Sequence, residues 1–208
     1  MEIKCVVVGQ LEENCYILTS DNEAFVIDPG AEPQKILSEL EKSGAVLKKI
    51  LLTHGHFDHF GAAAELSRKT GAGIYIHEKD AVMLNDDIKN LSVPSWTPPE
   101  HCRCDGYLND KEELMLGSEK ITVHYTPGHS MGGVSFYCNG NLFCGDLLFK
   151  NSIGRFDRGS LRMELLSIKF VVQNFDDSVT VYPGHGENTT IGAEKKYNPY
   201  IVNHIELD

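Results

Sequence analysis

Apolar positions along this chain alternate between two kinds of run. Short β-branched or aromatic stretches, at about 2–8, 14–19, 24–28, 46–52 and 73–76, are bounded by polar and turn-forming residues, as strands are. Between them lie segments with apolar residues at helical spacing. Ile36, Leu37 and Leu40 mark a helix over 33–43 stopped by Gly44, and a second helix is expected near 59–70, stopped by Gly71. A helical turn near 78–84 leads into 85–108, where Pro94, Pro98, Pro99 and Trp96 predict an irregular excursion, either a lid over a site or a packed connection. The second half repeats the theme, with strands near 114–116, 121–126, 133–138, 141–145 and 179–182 and helices at 160–174 and near 188–196. Two such runs predict an α/β fold of two mixed sheets face to face with helices outside, a four-layer αββα sandwich. No stretch is rich enough in Pro, Gly or Ser to divide the chain, so 1–208 reads as a single domain.

Composition narrows what such a fold is for. With 41% hydrophobic and 24% charged residues over 208 positions, the chain can build a substantial core. No apolar run reaches the roughly 20 residues that span a bilayer, so no membrane partner is expected. Met1–Val8 reads as a first strand and not a signal peptide, because no basic segment precedes an apolar core and a cleavage site. A net charge of −11 argues against nucleic acid and requires any anionic ligand to be attracted locally.

Six cysteines raise the question of redox compartment. A turn at Asn139-Gly140 pairs Cys138 with Asn141 and Cys144 with Ser135, placing the two thiols on opposite faces of the ribbon. Cys5 and Cys15 fall in separate strands, and Cys102-Arg103-Cys104 is too tight for an ordinary bridge. The expectation is a reduced chain in the cytoplasm. His101, Cys102 and Cys104 lack a second Cys or His pair nearby and read as a loop, not a metal site.

Chemistry concentrates at His54-Gly55-His56-Phe57-Asp58-His59, three imidazoles and a carboxylate directly after an apolar run. These are donors for zinc, iron and manganese. In an extended loop His54, His56 and Asp58 project to one side, while His59 breaks the alternation as a helix opens. One turn can thus feed two ions, His54 and His56 for one, Asp58 and His59 for the other. Three further groups sit just past strand ends beside glycine: Gly128-His129, Gly145-Asp146 and Gly184-His185. Sites in α/β proteins gather where strand ends converge.

This set of His54, His56, Asp58, His59, His129, Asp146 and His185 resembles the five-motif signature of the metallo-β-lactamase fold, over nearly the whole chain. Within that superfamily the sequence looks closest to the short bacterial glyoxalase II-like hydrolases. Thr126-Pro127-Gly128-His129-Ser130 and Gly145-Asp146-Leu147-Leu148-Phe149, followed by Ile153-Gly154-Arg155-Phe156-Asp157, add to the similarity. The resemblance implies the αββα architecture and two divalent metal ions, zinc foremost, with iron or manganese as alternatives. It assigns His54, His56 and His129 to one ion, Asp58, His59 and His185 to the second, and Asp146 to both. Catalytic roles fall to Asp58 and Asp146, and Arg155 is implied to contact the substrate. Asp157 departs from the pattern, standing where longer glyoxalase II enzymes carry Tyr, and their C-terminal helical glutathione-binding region has no counterpart in the 23 residues after His185.

Such a centre can lower the pKa of a shared water toward 7 and stabilise a developing oxyanion. The substrate expected is a small thioester such as S-lactoylglutathione, hydrolysed by a hydroxide bridging the metals, since a thiolate leaves without strong protonation. A lactone or other ester makes similar demands. Two rivals remain: a persulfide dioxygenase holding a single iron through His54, His129 and Asp146, and a noncatalytic protein stabilised by its metal.

Overall fold

The structure is a computed structural model that describes residues 1–93, 96–156 and 159–206. Pro94, within the expected loop, and Asp157, within the family-like motif, lie outside the described residues. The first sheet contains β1 (Glu2–Val8), β2 (Glu13–Ser20), β3 (Glu23–Ile27), β4 (Val46–Leu51), β5 (Gly73–Ile76) and β6 (Gly106–Tyr107), side by side in that order. β1–β2–β3 is an antiparallel meander, and β3 through β6 run parallel. Helix α1 (Pro33–Ser43) crosses from β3 to β4, while α2 (Phe57–Phe60) and α3 (Ala63–Thr70) cross from β4 to β5. A 3-10 helix, Glu78–Asn85, opens the excursion toward β6.

The second sheet has β7 (Glu113–Leu116), β8 (Glu119–Tyr125), β9 (Val134–Cys138), β10 (Asn141–Gly145), β13 (Thr180–Pro183) and β14 (Thr189–Thr190), adjacent in that order. A small hairpin of β11 (Leu148–Phe149) and β12 (Ser152–Ile153) precedes α4 (Leu161–Asn174), and α5 (Ile191–Tyr197) and α6 (Pro199–His204) close the chain. Here β10 and β13 pair in parallel and the other described neighbours antiparallel, so this sheet is mixed as well.

Strand side chains fill three cores, and this explains the nearly unbroken apolar runs. Along β3, Ala24 and Val26 face α1 and α3, whereas Phe25 and Ile27 face the second sheet. β2 divides the same way, Cys15 and Ile17 outward and Tyr16 and Leu18 inward. In β10, Phe143 enters the inter-sheet core while Leu142 and Cys144 meet Ile168, Val171 and Ile201 of the outer helices. Strands covered on both faces lose the polar alternation of a half-exposed sheet. The αββα sandwich is therefore as expected. Cys138 and Cys144 lie in different cores, and all six cysteines are free. Among the described residues, no helix is long and apolar enough to cross a membrane.

Three local expectations need correction. The helix expected near 59–70 begins at Phe57 and breaks at Gly61–Ala62. There the chain passes the turn after β3 so closely that a Cβ on Gly61 would collide with the Gly30 carbonyl, and Ala62 N–H donates to Pro29 O instead of continuing the helix. The strand expected over 24–28 stops at Ile27, because Asp28 takes a left-handed φ of 50°. The last helix, expected near 188–196, resolves into β14 and α5, followed by α6, which starts where the Asn198 side chain caps Tyr200 N–H and Pro199 fits the first turn.

Candidate metal centre

Four strand ends supply the site. The turn after β4 carries His54, His56, Asp58 and His59, and the turns after β8, β10 and β13 carry His129, Asp146 and His185. Two groups of donor atoms form, each within 4.8 Å of one another: His54, His56 and His129, and Asp58, His59 and His185. In the first, His56 Nδ1 stands 2.8 Å from His129 Nε2. In the second, His185 Nε2 stands 3.3 Å from Asp58 Oδ2, and His59 Nε2 3.9 Å from it. Asp146 lies between the groups. Its Oδ2 is 3.5 Å from His129 Nε2, while its Oδ1 is 3.4 Å from His59 Nε2 and 3.7 Å from His185 Nε2. All seven residues singled out in the sequence thus meet at one place, drawn from both sheets.

Hydrogen bonds on the far side of four of the five rings fix which nitrogen faces inward. Nδ1 of His54 lies 3.0 Å from the Thr53 hydroxyl, and Nδ1 of His59 2.9 Å from Asp28 Oδ2. His129 Nδ1 is 2.7 Å from Arg155 O, and His185 Nδ1 3.0 Å from Leu11 O. Carbonyls and carboxylates in these positions accept, so Nδ1 of His59, His129 and His185 carries the proton and Nε2 presents a lone pair. Such orienting partners are typical of metal-binding histidines. Inside the ring, His54 Nε2, His59 Nε2 and Asp146 Oδ1 are buried without a partner. Buried polar atoms left unmatched are costly, and here three of them converge.

The charge balance points the same way. Burial, then the neighbouring imidazoles, holds His54 well below its ordinary pKa and takes His56 down to about 3, so the first group offers neutral donors. Burial opposes ionisation of Asp58 and Asp146, but His59 foremost outweighs it and both carboxyls lie below their usual range. In return Asp146 and Asp58 overcome the burial penalty on His59 and raise it. Two buried carboxylates ringed by imidazoles demand positive charge. The donor set fits divalent metal.

A third combination, Asp28 with His54 and His59, is also close enough to ligate. Its carboxylate is already committed, with Oδ1 accepting Thr53 N–H at 2.7 Å and Oδ2 accepting the Thr53 hydroxyl and His59. Asp28 therefore orients His59. The sequence carries one signal for it, an acid at the end of a buried strand, as at Asp146. The role of β2 carries no such signal. Asn14 Nδ2 donates to Pro183 O and Gly186 O at 3.1 and 3.0 Å, its N–H donates to Gly184 O, and the Tyr16 hydroxyl donates to Pro183 O. β2 of the first sheet thereby clamps the loop that bears His185.

The Arg155 side chain is exposed, and its carbonyl is what engages the centre, through His129. His101 pairs with Asp87 at 2.8 Å, and Cys102 and Cys104 pack against the outer core, so these three form no cluster. Tyr182 packs on Phe143 in the inter-sheet core. Trp96 stacks on Phe57 and, with Pro99, walls a cavity beside Asp58, which makes the 85–108 excursion more than a surface connection. A Cβ on Gly184 would come within 2.6 Å of His59 Cε1 and closer still to Asp146 Oδ1, so glycine there lets the His185 turn approach.

Comparison with known proteins agrees with this geometry. The family model of the metallo-beta-lactamase superfamily matches residues 8–185, and the chain belongs to that superfamily. It is 32% identical to the hydroxyacylglutathione hydrolase GloC of Haemophilus influenzae, over 97% of this chain and 98% of the relative. The crystal structure of BLEG-1 B3 metallo-beta-lactamase superposes with a TM-score of 0.92 at 33% identity, covering 97% of this chain and 100% of the other. TTHA1623 in a di-iron-bound form superposes at 0.86 with 33% identity, covering 95% and 99%.

Proposed function

We propose that this protein is a binuclear metal-dependent hydrolase of small thioesters, with S-acylglutathione as the foremost substrate. The observation that carries the reading is Asp146, set between two complete donor triads with one oxygen toward each. His54, His56 and His129 would hold one ion, Asp58, His59 and His185 the other, and Asp146 both. When bound, two divalent ions supply a water of lowered pKa and polarise a carbonyl; zinc suits these donors, and iron or manganese accept them too.

The chain's own groups then orient. Asp58 borders the open cavity as well as the centre, which suits it to align the attacking water. The bonds from Asp28, Arg155 and Leu11 keep three imidazoles in register through the reaction. A thioester needs little more, because its thiolate leaves without prior protonation, its conjugate acid having a pKa of about 8.5. The name given to GloC supports an acylglutathione substrate, and the di-iron form of TTHA1623 supports iron as an occupant. A mononuclear oxygenase using His54, His129 and Asp146 would leave the Asp58–His59–His185 triad without work, and this favours the hydrolase.

The test is turnover. Metal-loaded protein should hydrolyse S-lactoylglutathione faster than a coenzyme A thioester or a lactone, and chelation should abolish it. Oxygen uptake with a persulfide and no thioester turnover would sink the reading.

A further inference from the structure

We propose that the two arms of the substrate enter separate cavities, and that Lys79 and Lys89, rather than Arg155, recognise an anionic thiol carrier. This rests on the thioesterase reading above and assigns the ends of its substrate.

Two cavities of about 310 Å³ each border the centre and share no lining residue. The first borders Asp58, a member of the second donor triad, and the other borders His56 and His129 of the first. A carbonyl held over Asp146 therefore has one cavity beside each donor triad. Arg155 lines neither.

Their walls differ in charge. Leu11, Phe57, Trp96 and Pro99 make the first apolar, and its ionisable lining residues are Glu32 and Asp58. Among the described residues no Lys or Arg lines it, so an anionic arm is disfavoured there and a short uncharged acyl group fits. In the second, Met83 and Ile88 provide an apolar floor, and Lys79 and Lys89 bring two ammonium groups. Lys79 Nζ donates to the Tyr125 hydroxyl at 2.7 Å, which leaves its charge unneutralised by that contact. Lys89 pairs with Asp86 at 3.3 Å while 55% exposed, and an exposed pair of this kind gives way readily to a better partner. Asp80 also lines this cavity, but backbone N–H groups of Gly55 and Gly132 occupy its oxygens.

On a chain of net charge −11, a local pair of cations beside the metal ligands is where an anion can be drawn in. The volume lies near the lower end of small-ligand sites, which suits a peptide-sized thiol bearing free carboxylates better than a nucleotide-bearing one.

The experiment measures binding and turnover separately. Trp96 is the single tryptophan of the chain and lies in the acyl cavity, so its fluorescence reports occupancy. Zinc-loaded protein is titrated with an S-alkylglutathione thioether, which cannot be hydrolysed, and with the same compound esterified at both carboxylates. The diacid should bind about tenfold tighter than the diester, the scale of two charge contacts. The double variant Lys79→Glu/Lys89→Glu should lose that margin yet bind the diester as before, which also shows that it is folded. Equal affinities for diacid and diester in the unaltered protein overturn the proposal. So does loss of diacid binding on Arg155→Ala but not in the double variant, or tighter binding of a coenzyme A thioether. Charge-selective binding without hydrolysis of S-lactoylglutathione would uphold the two-arm site and defeat only the thioesterase reading.

Discussion

Nδ1 of His59 lies 2.9 Å from Oδ2 of Asp28, and the same carboxylate accepts both the N–H and the hydroxyl of Thr53. One acid at the end of β3 thereby fixes the turn after β4 and the ring at its far end. Orienting partners of this kind are worth about 10–100-fold in metal affinity. Asp28→Ala should therefore weaken the second ion by that amount and the first by less, since Thr53 also touches His54 Nδ1. Stepwise metal titration by calorimetry checks it; equal weakening of both steps would show a general loss of structure instead.

Gly184→Ala puts a methyl against His59 and Asp146. The His185 turn must retreat, and the expected result is loss of the second ion with the fold retained. Circular dichroism and metal analysis on one sample test the pair of outcomes. A variant that binds two ions normally would show that the turn has slack.

Glu164 on α4 is buried, and burial foremost, opposed by the His129 N–H and helped by a smaller repulsion from Asp146, pushes its pKa up to about 8. The folded chain thus keeps a proton that the unfolded chain, at the ordinary value of 4.5, releases. Stability from this group is full below pH 4.5 and is lost as pH rises through about 8. In metal-free protein Glu164→Gln, neutral throughout, should match the unaltered chain near pH 4.5 and exceed it above pH 8, by a few kcal/mol at most. Urea unfolding across that range reads the difference, and parallel pH profiles would contradict it.

Much of this is legible in the sequence. Hydrophobic period placed the strands, and His54, His56, Asp58, His59, His129, Asp146 and His185 stood out because ligand chemistry after a strand is rare and here recurs. What lay hidden depends on contacts between sheets. Asn14 carries no sequence signal for a clamp, since its partners Pro183 and Gly186 are 169 and 172 residues away. The break at Gly61 comes from the approach of Gly30, another long-range contact. Arg155 drew notice for its side chain, yet its backbone carbonyl is what meets His129, and no residue type announces that.

Removal of a central ligand should separate structural from catalytic loss. His54→Ala leaves the Asp58–His59–His185 triad intact, so one ion should remain while activity falls by several orders of magnitude. Asp146→Ala removes the shared carboxylate and should cost both. Activity assays paired with metal retention after dialysis distinguish the two variants, and wild-type turnover by either would remove that residue from the centre.

Elemental analysis of the purified protein, run beside its hydrolysis of S-lactoylglutathione, tests the central claim most directly. Two divalent ions per chain, with activity rising as the second is restored to metal-free protein, is the result expected of paired triads around Asp146. A single tightly held iron that supports full activity with the second triad empty would contradict it.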